Sequence, residues 1–574
     1  MKATRSPLYS LTFALGLTAT AVQAQDIAQI AKSDPLLITG SVGTRNTYYH
    51  SSMGGQFASP LSNTVYANLN ISLYGFSMPF SIYYSNDNLN FNYPHLSFNL
   101  SPSYKQWTGH IGRSSIAFSP YVMNMSFNGV GLEYNGDRFR TAVFYGTLRS
   151  AVNDDPMSPN ARRPQYKRVG WGLKVGYGSP RNYLDLYFLR VYDRPKSLDE
   201  GWRKIVSPQE NLVVGLRSCV SFKQWLSLTA NAAASVFSTD TEAKKLESSG
   251  AERFDKIFDV RYSSLMRFAG DVNLNLTLPR FSTSVFYRMV QPDYTSLGTY
   301  YMTNNYHSLG INMSTSLFNK VSLSASFSGQ EDNLTNRQMY TTRGFVYSAM
   351  LSMPVTSWMN ISAGYNGYLQ NQGDGTAHVN DTTRVKRMMH SFNVMPSIFF
   401  NTSLMEHNIS LSASLVNNKD LNKFADGKSD VRTQALGLTY GVNVIPWEVD
   451  FSVSLSHQQS KSNASTYTSD VGSVSVSRSF LKEKNLNLSA NASLCYNEIS
   501  RMSKSLSMGF DAAASLTLAK VHVFSLSAGL NKYGDVNISK TRSSLDDTEF
   551  SASFSYAYTF TLLELKRKGN KQKN

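Results

Sequence analysis

The chain has 574 residues, 41% apolar, 12% aromatic and only 16% charged, with 55 Lys and Arg against 39 Asp and Glu for a formal net charge of +16. Charge this far below the roughly 25% of soluble domains, at a mean hydropathy of −0.28, argues against a string of water-soluble domains. Beyond residue 30 no run reaches the roughly 18 consecutive apolar residues of a spanning helix, which excludes a helical-bundle membrane protein and leaves a β-barrel, whose strands alternate lipid-facing and lumen-facing residues.

Lys2 and Arg5 precede an apolar run from Leu8 to Val22, and Val22-Gln23-Ala24 offers small residues for cleavage before Gln25. Residues 1–24 are therefore expected to be a signal peptide and the protein to be exported. A short periplasmic segment, 25–36, is expected to lead into the barrel. From residue 37 to 561, segments of roughly 10 to 14 residues place apolar side chains at every second position, the period of a strand. The series Val65, Ala67, Leu69, Ile71, Leu73 is followed by Leu226 to Val236, Val272 to Leu278, Leu486 to Tyr496 and Phe550 to Phe560. Between these residues lie mostly Ser, Asn, Thr and Gly. Residues 562–574, with Lys566, Arg567, Lys568, Lys571 and Lys573, read as a basic tail.

The connections separate a barrel from a β-sandwich. Short turns near 135–137, 178–182, 222–224, 318–320, 445–447 and 519–520 alternate with long polar connections such as 149–166, 192–208, 239–262, 291–305, 328–340, 370–387, 416–430, 458–467 and 532–547. An up-and-down barrel with tight periplasmic turns and long extracellular loops has this alternation, and a Greek-key sandwich does not require it. The fold class expected is all-β: a transmembrane up-and-down antiparallel β-barrel of about 26 strands, within a range of about 22 to 26. An even count puts both termini at the short-turn side, in the periplasm of an outer membrane.

About 26 strands spaced about 4.8 Å apart and tilted about 40° enclose a backbone diameter near 50 Å, so inward-folded loops, a flattened section or a partner must narrow the lumen. The segment before the first strand is too short for the roughly 100 residues of a separate plug domain. Strand parity turns Glu133, Lys174, Arg217, Asp271, Arg288, Asp450 and Asp511 toward the lumen. Both signs are present, which suits a wet, mutually paired interior better than a selectivity filter of one sign. Trp107, Trp171, Trp225, Trp358 and Trp447 sit near strand ends, as interfacial girdles require.

Catalytic signals are absent. The nine His form no HxH or HExxH pattern, and no motif singles out a Ser nucleophile. Gly373-Asp374-Gly375 lacks the acidic spacing of a calcium loop and reads as a turn. Cys219 and Cys495 are far apart in strand-like segments and read as buried or lumen-facing thiols. No enzyme activity, catalytic residue, metal or cofactor is expected, and the scattered positive charge does not call for nucleic acid. The partners expected are outer-membrane lipid and a periplasmic or lipoprotein partner plugging or capping the barrel.

Three stretches, SLYGFSMPFSIYYSN from Ser72 to Asn86, LSPSYKQWTGHIGRSSIAFSPY from Leu100 to Tyr121, and GVGLEY with RFRTAVFYGTLRSA from Gly129 to Ala151, resemble large outer-membrane barrels of Bacteroidota-type bacteria. The resemblance implies an outer-membrane barrel and transfers no site residues. One departure is that Phe560 is followed by the basic tail, whereas many such barrels end on a terminal aromatic residue. The function expected is a pore or translocation channel with an occluded polar lumen; the alternative is a scaffold within an outer-membrane assembly or secretion complex.

Overall fold

The computed structural model describes residues 36–52, 60–86, 96–154, 162–246, 258–318, 320–425, 427–481, 483, 485–500, 503–535 and 544–565. The expected signal peptide, residues 25–35 and residues 566–574 lie outside these. The chain runs through β1 (Leu36–Ser51), β2 (Leu61–Leu73), β3 (Phe76–Ser85), β4 (Leu96–Leu100), β5 (Ser103–Tyr104), β6 (Trp107–Ser114), β7 (Phe127–Asn135), β8 (Phe139–Arg149) and β9 (Arg168–Ser179). It continues through β10 (Asn182–Asp193), β11 (Glu210–Lys223), β12 (Leu226–Ser238), β13 (Ser264–Thr277), β14 (Phe281–Val290), β15 (Tyr306–Leu317), β16 (Val321–Asp332), β17 (Tyr340–Thr356) and β18 (Met359–Asp374). The remainder are β19 (Lys386–Asn401), β20 (Met405–Asp420), β21 (Val431–Val444), β22 (Val449–Ser462), β23 (Thr466–Phe480), β24 (Leu486–Ile499), β25 (Ser503–Leu518), β26 (His522–Asp535) and β27 (Ser544–Leu565).

Each strand pairs antiparallel with its sequence neighbours, and β1 pairs with β27 from Leu36↔Leu565 to Ser51↔Glu549, so the sheet closes and has no open edge. β4 and β5 are two pieces of one strand: both pair with β3 and β6, and the ladder breaks at Ser101-Pro102, where proline has no N–H to give. The barrel is therefore 26-stranded, as the alternation predicts. Residues 562–565, expected to open the tail, continue β27, because the ladder to β1 holds as far as Leu565.

The two faces follow the period of two. On β12, Leu226, Leu228, Ala230 and Val236 point outward, and Asn231, Ala233 and Ser235 point to the lumen. The outer face carries exposed Leu274, Phe327, Phe392, Leu436, Leu455, Leu494 and Phe554, a continuous apolar belt that only hydrocarbon covers without cost. Trp107, Trp225, Trp358 and Trp447 cluster at the short turns, while Trp171 sits near the opposite end of β9.

Several connections expected to be long are shorter than the polar pattern suggests. Residues 458–462 and 466–467 belong to β22 and β23, leaving only 463–465 between them, and 416–420 belong to β20. Polarity marks where the outer face leaves the hydrocarbon, whereas the hydrogen-bond ladder continues past that level into water.

Candidate functional site

Two connections at the long-loop end turn inward. Residues 115–126, between β6 and β7, and residues 291–305, between β14 and β15, meet inside the barrel. The Ser296 hydroxyl donates to the Val122 carbonyl at 2.5 Å, the Tyr294 hydroxyl donates to the Tyr121 carbonyl at 2.7 Å, and the Asn124 and Met125 amides donate to the Gly298 carbonyl at 3.1 Å. Together they form a shelf whose Ile116, Phe118, Val122, Met123 and Leu297 pack against Phe144, Tyr187, Leu189, Val191 and Val213 of the wall. Burying each large apolar side chain is worth about 1.5–3 kcal/mol. This shelf explains why β10 is apolar on both faces: Leu184, Leu186 and Phe188 meet lipid, while Tyr187, Leu189 and Val191 meet the shelf.

Close approach requires residues without side chains. A Cβ on wall residue Gly215 would strike the Val122 side chain, and one on Gly298 would lie 2.6 Å from Leu189 and 2.8 Å from the Val122 carbonyl. The fully buried Asn211 then clamps the second loop. Its amide nitrogen donates to Ser235 Oγ at 2.7 Å, its oxygen accepts from the Leu297 amide at 3.0 Å, and Ser235 donates to the Thr295 carbonyl at 2.6 Å.

Five of the seven charges expected in the lumen lie directly beneath this shelf. On each strand they sit two positions nearer the short turns than a residue of the wall that meets it: Asp271 below Ala269, Arg288 below Val290, Arg217 below Gly215, Lys174 below Gly172, Glu133 below Gly131. In register, Asp185, Arg217, Asn231, Asp271 and Arg288 face one another in an unbroken row across β10 to β14. Signs alternate along it. Asp271 accepts from Tyr121 Oη at 2.7 Å and from the amides of Asn231 at 3.1 Å and Asn273 at 2.7 Å, so the buried carboxylate is satisfied. Arg140 on β8 holds Asp185 at 2.8 Å, and Glu133 lies 3.5 Å from His110.

Beneath the shelf, Asp185, Asp271 and Lys174 are drier than the sequence suggests, at 6%, 8% and 9% exposed, whereas Arg217 and Arg288 stay exposed to the lumen. Parity identifies the face a side chain takes but not the chain that folds over it. Asp450 and Asp511 are not brought to the row. They stand exposed on β22 and β25; Asp450 accepts from Asn443 at 2.6 Å, and Asp511 faces Asn491 and Gly529.

That second half of the wall differs in kind. Among the described residues of β19 to β27, no lumen-facing side chain is buried. Apart from scattered charges such as Asp450 and Asp511, its surface is mostly hydroxyl and amide, laced by cross-strand bonds such as Ser452 to Ser475, Ser454 to Ser473 and Thr433 to Ser460, each 2.7 Å.

Sequence reasoning missed Arg140, Asp185, Asn211 and the loop 115–126. Asp185 was recoverable, since it lies between Leu184 and Leu186 on the opposite parity, and so was the two-sided apolar character of β10. Cys219 is buried and Cys495 half-buried, both on lumen parity. Asp374 accepts from the Val379 amide and faces His378 Nδ1, both at 2.8 Å, tying its own turn. Several His sit on the outer face beside Tyr: His390 with Tyr365 at 2.7 Å, His407 with Tyr440 at 2.8 Å, His522 with Tyr556 at 2.9 Å. Among the described residues no group of three or more His, Cys, Asp or Glu is placed to hold a metal.

No protein-family model and no curated protein matches the chain. Among solved structures it is similar to the P pilus usher (PapC) translocation pore, at 13% identity and TM-score 0.36 over 92% of this chain and 100% of that one. It is also similar to OccK8 (OprE) of Pseudomonas aeruginosa, at 9% identity and TM-score 0.32 over 69% and 97%, and to OccAB3 of Acinetobacter baumannii, at 10% and 0.30 over 66% and 98%. Scores this low carry no argument, and the fold rests on the strand pairing above.

Proposed function

We propose that this chain is an outer-membrane channel that passes a polar cargo through the uncovered half of its lumen, with the long loops outside the cell and the short turns in the periplasm. One observation carries the reading, the asymmetry of the lumen. The shelf seals the sector from β7 to β14 with an apolar core, while β19 to β27 present a hydroxyl-rich wall with scattered charges, Asp450 and Asp511 among them, and no buried lumen-facing side chain. Beneath the apolar core the row sets opposite charges across from one another in register, Asp185 against Arg217 and Asp271 against Arg288. The open wall is mostly hydroxyl and amide, its charges are dispersed and it buries no apolar surface, so a hydrated solute or extended chain slides past it without a deep energy well. A cargo or plugging partner that fills the remaining space completes the membrane barrier, since about 26 strands enclose a width near 50 Å.

Purified protein in planar bilayers tests the reading. The expected result is discrete, ohmic conductance steps with weak preference between cations and anions. Silence from both the intact chain and a variant lacking residues 116–125 contradicts it and favours a scaffold.

A further inference from the structure

The outer wall carries one patch that an apolar belt alone does not explain. Lys386, Lys419, Arg432 and Lys461 stand at the long-loop ends of β19, β20, β21 and β22, all exposed and all on the outward parity of Val394, Leu411, Leu436 and Leu455. Arg432 and Lys461 are direct cross-strand partners. Lys419 opposes Met388, two positions from Lys386 on β19, and Arg432 opposes Asn417, two positions from Lys419 on β20. Like charges directly opposite are destabilising, and diagonal neighbours are only about 7–8 Å apart. No carboxylate among the described residues lies within 4.0 Å of any of the four. Arg432 rests instead on the neutral Gln434, whose amide oxygen accepts from it at 2.7 Å in the turned orientation. The outward cations to either side are neutralised: Arg343 meets Glu331 at 3.0 Å and Lys504 meets Glu498 at 3.4 Å.

Beneath the patch the wall is indented. A groove of about 780 Å³ runs down the same strands, lined by Pro396, Leu411, Leu436, Leu438, Leu455 and Leu494. Gly472 lies in its floor and leaves it open: a Cβ there would meet only Leu455, at 3.5 Å. The acid at its upper edge, Asp470, is occupied by His457 at 2.6 Å.

We propose that this patch and groove bind one anionic lipid of the leaflet at the long-loop end, with phosphate on its headgroup held by the four cations and acyl chains lying in the groove. Cations above apolar surface match a phosphorylated lipid end to end, and phosphate screens the Arg432–Lys461 repulsion that the bare protein leaves standing. The site needs the barrel to sit in a membrane, but it does not depend on whether the lumen conducts.

The test is retention of a phosphorylated glycolipid by the folded full-length chain in detergent micelles, read by native mass spectrometry. Correct folding is confirmed for every variant by its faster migration before heating on a detergent gel. The intact chain is expected to hold one lipid through detergent exchange, and the same glycolipid without phosphate at least tenfold more weakly. Lys386→Gln/Lys419→Gln/Arg432→Gln/Lys461→Gln and, separately, Gly472→Leu are expected to cut retention at least tenfold, while Arg343→Gln/Lys504→Gln leaves it unchanged. Equal retention by the intact chain and the quadruple variant overturns the proposal. So does full displacement by millimolar inorganic phosphate, which would reduce the patch to a simple anion site.

Discussion

The hydroxyl of Tyr121, on the first inward loop, donates a 2.7 Å hydrogen bond to Oδ1 of Asp271, 150 residues further along the chain on the lumen face of β13. This contact joins the apolar shelf to the charged row beneath it. A hydrogen bond to a charged acceptor is worth about 1.5–3 kcal/mol. Tyr121→Phe is therefore expected to release loop 115–126 locally, raising its protease cleavage rate roughly tenfold while the barrel keeps its unheated gel mobility. Unchanged protection would show that the tether is dispensable.

Asn211 holds the second loop. Asn211→Leu keeps the approximate volume but leaves the Leu297 amide without its acceptor, a cost of about 1–3 kcal/mol. Faster hydrogen exchange is expected across residues 294–299, with little change in 115–120. Exchange unaltered in both segments would mean that the Ser296 and Tyr294 contacts suffice.

Gly215→Val drives a side chain into the space held by Val122. Overpacking of this kind costs about 1–3 kcal/mol, and the loop yields more easily than the hydrogen-bonded wall. The expected result is a displaced shelf and larger conductance steps with an unchanged unheated gel mobility; unchanged steps would place the narrowing elsewhere.

Burial, and for Tyr121 also its hydrogen bond to Asp271, raises the phenols of Tyr121 and Tyr294 above their ordinary value. A raised value favours the neutral form in the folded state, so the stabilisation is fully present below the unfolded phenol value of about 10 and is lost as pH rises through the folded value. Protection of both loops from protease is expected to stay flat between about pH 5 and pH 9 and to decline only above about pH 10. A transition near neutral pH would assign the shelf to another group.

Barrel closure and facing were legible because each strand repeats one rule. Apolar residues alternate over Val65 to Leu73 and over Phe550 to Phe560, and both series line the outer wall. The shelf was not legible in the same way, because its apolar residues Ile116, Phe118, Val122 and Met123 follow no strand period and take their partners from strands that lie far along the sequence. Parity likewise put Asp271 and Asp450 on the same face, but it carried no information that Tyr121 would cover one and leave the other in water. The polar ends of β22 and β23 read as loop because a strand beyond the hydrocarbon needs no apolar face.

The uncovered hydroxyl wall is the heart of the account, and a single-channel recording through one labelled residue tests it. Ser473 lies midway along β23 on that wall, hydrogen-bonded to Ser454. In a Cys219→Ala/Cys495→Ala background, Ser473→Cys is expected to conduct like the parent until a polymer-linked maleimide is added, and then to lose most of its conductance in one step. Conductance that persists after complete labelling would show that ions do not pass along this half of the lumen.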